Sequence, residues 1–387
     1  MVSVQERRRF LRHSLGLLLG GGAGLSTGRA ALALPQSAGA AVDGPERRVS
    51  APESIPIPPK VAAPPTAGLS DSEPPSLEPV EVIPAERSGG SGNLGIPTPY
   101  LAGRTLLTAY GRSFGVAPIL GLLGGLRSFD ELETTMAPWV ESIHAITRAP
   151  VTLAPHLIYA LARGCGGGDD ACLIFLDASR VDIIREYILP ALERDMAVVL
   201  DAQMGRMSAV SIIQRMIDSG YLSYPNVHVA LDPEFVTGRL QGRPGDPIGR
   251  LPADQINSAQ ELLSTYVRDE RLRTAKVLII HQFIDETTNT WTMIPNKDDL
   301  QRFPSVELVM DADGFGSPDQ KVFKYNGITD LATYPNLDLR GIKVFQRNPV
   351  APRFSDTPVM TARQLFGLDP TSGGRYMWAP PHVVIVA

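Results

Sequence analysis

Residues 197–206, AVVLDAQMGR, and 227–235, VHVALDPEF, decide the fold. Each opens on a short, mostly apolar run and ends on an aspartate beside a turn. Such runs are too short for helices and show little polar face, the pattern of parallel strands covered by helices on both sides. Working outward, the same unit recurs. Thr105–Tyr110, Pro150–Ala154, Lys276–His281, Val306–Asp311, Gly341–Phe345 and His382–Val386 join Ala197–Asp201 and Val227–Asp232 to make eight runs.

Helical stretches separate them and carry recognisable starts. Ser128-x-x-Glu131 and Thr361-x-x-Gln364 have capping-box spacing, in which hydroxyl and carboxylate or amide satisfy each other's free backbone donors. Between Asp254 and Arg271, Ile256, Leu262, Leu263, Tyr266 and Val267 recur at helical spacing and form one apolar face. Eight strands alternating with helices over residues 100–387 predict an α/β fold of the (β/α)8 TIM-like barrel type. A doubly wound open sheet would need a phosphate-binding glycine fingerprint after its first strand, and Gly111-Arg112-Ser113-Phe114-Gly115 has the wrong spacing.

The 387-residue chain is 43% hydrophobic and 20% charged, enough to bury a sizeable core. Of its 34 prolines, 14 lie between Pro35 and Pro99, where long apolar runs are missing. Residues 34–99 therefore read as a disordered, partly polyproline linker. Ahead of it, Arg7-Arg8-Arg9-Phe10-Leu11-Arg12, an uncharged stretch from Ser14 to about Leu25, and Ala31-Leu32-Ala33 have the three parts of a signal peptide. The arginine pair resembles the twin-arginine consensus, so residues 1–33 are expected to engage the twin-arginine translocase and the mature chain to be exported. Its destination would be the periplasm, the cell envelope or the exterior.

Removing residues 1–33 takes away five arginines and one glutamate, moving the formal charge from −5 to −9. Without a basic cluster beyond the leader, nucleic acid is excluded as a partner. No second apolar run is long enough for a transmembrane anchor in the mature chain.

A barrel places its chemistry at the C-terminal ends of its strands. There the sequence puts Asp201, Gln203 and Arg206, then Asp232 and Glu234, then His281 and Gln282, then Asp311 and Asp313, with Lys343 in the seventh run. Residues two apart on an extended chain share a face, so Asp201 and Gln203, Asp232 and Glu234, and Asp311 and Asp313 form three pairs. Carboxylates ending adjacent strands come within roughly 5–7 Å, a distance suited to acid and base work. Asp201, Asp232, Glu234 and Asp313 are the catalytic candidates. Tyr110, Gln203, Arg206, His281, Gln282, Asp311 and Lys343 are candidates for holding substrate.

Each has a plainer reading. An aspartate after a strand often caps a turn, His281 suits a buried structural role, and Lys343 needs an acidic partner. The carboxylates and His281 would also suit a divalent cation, although the spacing is not diagnostic and no cofactor is required. Gly111-x-Ser113-x-Gly115 matches a nucleophile elbow, but only the linker precedes it, so that fold's earlier strands have no source. Cys165 and Cys172 bracket a glycine-rich turn and are expected to form a structural disulfide. Tyr110, Trp291, Phe315 and Trp378 lie at or near strand ends, where rings stack on sugars or anchor loops.

LDAQMGR at 200–206, LDPEF at 231–235, HQF at 281–283, DADGFG at 311–316 and GIKVF at 341–345 together resemble a largely uncharacterised family of exported actinobacterial-type proteins. The resemblance implies a barrel-like fold and no particular reaction, and the lipid-anchored members' cysteine is missing here. The expected function is hydrolysis of a cell-envelope glycan, with Asp232 or Glu234 as acid and Asp201 or Asp313 as base or nucleophile. Its alternatives are a non-catalytic envelope- or polysaccharide-binding protein and a metal-dependent phosphodiesterase.

Overall fold

A computed structural model describes residues 96–387 apart from 117–120, 166–170, 180, 237–243, 246–247, 284–292, 331, 338 and 347–353. The expectations for the leader, the linker and Trp291 lie outside the described residues. All eight apolar runs are strands: β1 (Thr105–Gly111), β2 (Val151–Ala162), β4 (Val198–Ala202), β5 (Val227–Leu231), β6 (Lys276–Gln282), β7 (Val306–Ala312), β8 (Leu339–Val344) and β9 (Val383–Val386). They lie parallel in the order β1-β9-β8-β7-β6-β5-β4-β2, and pairing of β1 with β2 closes the ring. The fold is a (β/α)8 barrel. A ninth strand, β3 (Leu173–Phe175), folds back antiparallel on the end of β2.

β2 is longer than its apolar run suggests. Pro155, which removes a backbone donor and ordinarily ends a strand, sits within it opposite Ala109. Beyond it His156-Leu157-Ile158-Tyr159 continues the strand, with a register shift against β4 between Ile158 and Ala160.

The outer layer is α1 (Phe129–Thr147), α2 (Leu189–Leu192), α3 (Ala209–Asp218), α4 (Ala253–Asp269), α5 (Pro318–Ile328) and α6 (Ala362–Leu365). Ser128 caps α1 by accepting from the Glu131 N–H at 3.2 Å, while the Glu131 carboxylate reaches past Ser128 to the Arg127 N–H. The Thr361–Gln364 box closes in both directions, and so does one at Ser317–Gln320 at the start of α5. Between β6 and β7 the described residues hold only a 3-10 turn, Lys297–Asp299, so the helical layer is uneven.

Alternation along the strands divides the core in two. Leu107, Leu157, Leu200, Leu231, Ile280 and Met310 face outward beneath the helices. Leu106, Ala154, Val199, Ala230, Ile279 and Val309 fill the barrel. The inward positions next along the strands are polar, and they make the site.

Candidate functional site

Strand register sets the arrangement. Tyr110 lies opposite His156, Ile158 opposite Asp201, His281 opposite Asp311, and Asp311 opposite Gly341. A side chain at Gly341 would press on Asp311 Oδ1 at 3.0 Å, so the glycine gives that carboxylate room. Asp201, Asp232, Asp311, Asp313, His281, Lys343 and Tyr110 come together inside the C-terminal end of the barrel. They form two tiers. His156, Asp201, His281 and Asp311 are fully buried, whereas Asp232, Asp313, Lys343 and Glu234 keep 2%, 3%, 4% and 5% exposure.

In the deep tier, His281 Nδ1 lies 2.9 Å from Asp311 Oδ2 and 3.5 Å from Asp313 Oδ2, while its Nε2 stands 3.5 Å from Asp201 Oδ2. His156 Nδ1 is 3.2 Å from the Thr108 hydroxyl, and its Nε2 is 3.8 Å from the same Asp201 oxygen. In the upper tier Lys343 Nζ donates to Asp313 Oδ2 at 3.1 Å and sits 3.7 Å from the centre of the Tyr110 ring. Asp232 accepts from the Glu234 N–H at 3.1 Å, so it caps the turn after β5 while facing the barrel.

The loops that carry the upper tier are tied from α5. Lys321 Nζ donates to the Gly314 carbonyl at 2.9 Å and also to the Lys343 carbonyl. Asp356 accepts from Gly316 N–H at 2.8 Å and Phe345 N–H at 2.9 Å, joining the segments that follow β7 and β8.

This environment separates the carboxylates. Burial, reinforced by Glu234 and Asp201 against the pull of His281, raises the Asp232 pKa well above the ordinary carboxylate range. Burial also acts to raise Asp201, but His281, His156 and Lys343 outweigh it and hold that group low. Asp311 is raised, chiefly by burial. Burial lowers His156 well below its usual value. His281 meets the same burial and the repulsion of Lys343, yet its aspartates prevail and raise it well above. Burial would lower Lys343 too, and the four aspartates more than offset it.

Several sequence candidates fall elsewhere. Gln282 points away from His281's side of β6, and its Oε1 accepts from Lys297 Nζ at 2.8 Å under the outer layer. Gln203 turns its Oε1 to the Ala162 N–H at 2.9 Å and closes the end of β2. Arg206 is half-buried beyond β4, its N–H bonded to the Ala171 carbonyl at 3.0 Å. Phe315 packs edge-on against Phe345 and Phe354, a loop anchor. Trp378 precedes β9 and bonds Asn326 near the end of α5, at the strand-start end and away from the mouth.

Ser113 lines an outer cleft of about 530 Å³ with Phe114, Arg127 and Tyr187, and none of the aspartates or histidines of the barrel cluster lines that cleft. Cys165 and Cys172 are joined by a disulfide at the β2–β3 hairpin. His156 lies beyond the apolar run Pro150–Ala154, past Pro155, a residue type that locally disfavours a continuing strand. The signal that finds it is the period-2 series Ala154, His156, Ile158.

No family model, curated protein or solved structure matches this chain. No helix among the described residues is long and apolar enough to cross a membrane.

Proposed function

We propose that the chain is an exported hydrolase acting on a cell-envelope glycan at the C-terminal mouth of its barrel. The observation that carries the reading is the gathering of Asp201, Asp232, Asp311 and Asp313, from three strands, around Lys343. Glycoside hydrolysis uses two carboxyl groups in unlike surroundings, one to protonate the leaving oxygen and one to attack or to activate water. Asp232, buried beside Glu234 and raised well above the ordinary carboxylate range, fits the acid. Asp313, held against the Lys343 ammonium, fits the base or nucleophile. The leader's arginine pair and its A-x-A end support export, and the five quoted motifs support membership of the exported actinobacterial-type family.

The test is turnover of a glycan library by the full chain and by Asp232→Asn and Asp313→Asn. Each variant is expected to lose about 10²–10⁴-fold in rate on a responsive glycan, the usual contribution of a positioned acid or base. Undiminished turnover in both would remove the assignment.

A further inference from the structure

Below the acid and base candidates lie three side chains whose hydrogen-bonding capacity is not fully used. His156 from β2 and His281 from β6 each have Nδ1 engaged, one by the Thr108 hydroxyl at 3.2 Å and the other by Asp311 at 2.9 Å. On release of any Nε2 proton, a ring held at Nδ1 presents an Nε2 lone pair to a cation, and a carboxylate behind Nδ1 is a usual outer partner of a metal-binding histidine. Both Nε2 atoms turn to Asp201 Oδ2, at 3.8 and 3.5 Å. Among the described residues neither Nε2 nor either Asp201 oxygen makes a well-formed hydrogen bond, although His281 and the Tyr110 hydroxyl both interact with Asp201, and all three side chains are fully buried. Burying such groups without partners forfeits their hydration with no return.

We propose that His156 Nε2, His281 Nε2 and Asp201 Oδ2 bind one divalent transition-metal ion of the zinc class. Three ligands at about 2.0–2.2 Å from one ion, at tetrahedral angles, lie about 3.3–3.6 Å apart, against 3.5 and 3.8 Å from the two histidines to Asp201 and no more than 4.8 Å between any two of the three atoms. Two imidazoles and one carboxylate suit such an ion and not calcium or magnesium, which take oxygen shells. A second grouping, His281 with Asp311 and Asp313, is already committed internally, because its Nδ1 is bonded to Asp311 and Asp313 to Lys343. Three protein ligands leave a coordination position for water or a substrate oxygen, as in catalytic rather than structural zinc sites.

The inference is independent of the hydrolytic reading, and its test reads metal, not turnover. Full-length chain stripped with a chelator is titrated with Zn²⁺ by calorimetry, and bound zinc is counted by elemental analysis. One equivalent is expected. His156→Gln and Asp201→Asn should abolish it, Asp311→Asn, which alters a positioning residue, should weaken it about 10–100-fold, and His144→Gln on α1 should leave it unchanged. Should a variant fail to fold, X-ray absorption of the zinc-loaded wild type decides, with two imidazole ligands expected. Wild type that binds no zinc, zinc retained by both ligand variants, or absorption without imidazole would each overturn the proposal. Zinc bound without glycan turnover supports the metal site and counts against the hydrolase alone.

Discussion

Lys276 stands at the start of β6 with its ammonium wholly buried, donating to the Tyr224 carbonyl at 2.6 Å and the Val227 carbonyl at 3.0 Å. Burial lowers its pKa from 10.5 to about 7. The folded state therefore binds fewer protons at this residue than the unfolded chain between those limits. Its contribution to stability is at its lowest below pH 7 and rises toward pH 10.5. Denaturant unfolding at several pH values should show wild type gaining on Lys276→Met by up to about 1.4 kcal/mol per pH unit across that window. A difference that stays flat with pH would show that the ammonium is not desolvated. The lysine was visible in sequence only as the first residue of an apolar run. Its burial follows from Tyr224 and Val227, which the fold brings to it from 52 and 49 positions away.

At the scale of elements, α5 ties down the loops that carry the upper tier of the site. Its cap at Ser317 immediately follows the DADGFG turn, and its Lys321 ties the ends of β7 and β8. Ser317→Ala removes the hydroxyl that accepts from Gln320 N–H and should cost about 1 kcal/mol, measured by chemical denaturation. No loss of stability would mean that Gln320 and Asp319 hold the helix start without it. Capping was legible because it depends on residues three apart, as Ser128 and Thr361 show. The course of β2 was less so, since Pro155 locally signals an end while pairing with β1 on one side and β4 on the other carries the strand through.

For the molecule as a whole, closure depends on the last strand. β9 lies between β1 and β8, and all four of its residues are buried. A chain ending at Pro381 would leave two unpaired edges and an opened interior, and should lose its cooperative unfolding transition, followed by circular dichroism on heating. A cooperative transition retained without β9 would mean that the ring is not the stabilising unit. By itself the sequence determined the eight strands, their order and the end of the barrel at which polar residues fall, because apolar runs and turn residues are local properties. Tertiary structure alone decided which of those polar residues meet. Gln282 and His281 are neighbours in sequence yet face opposite layers, while His156, Asp201 and His281 come from three strands and converge on one point. That convergence depends on strand register and on the curvature of a closed ring, and neither is written in any short stretch of chain.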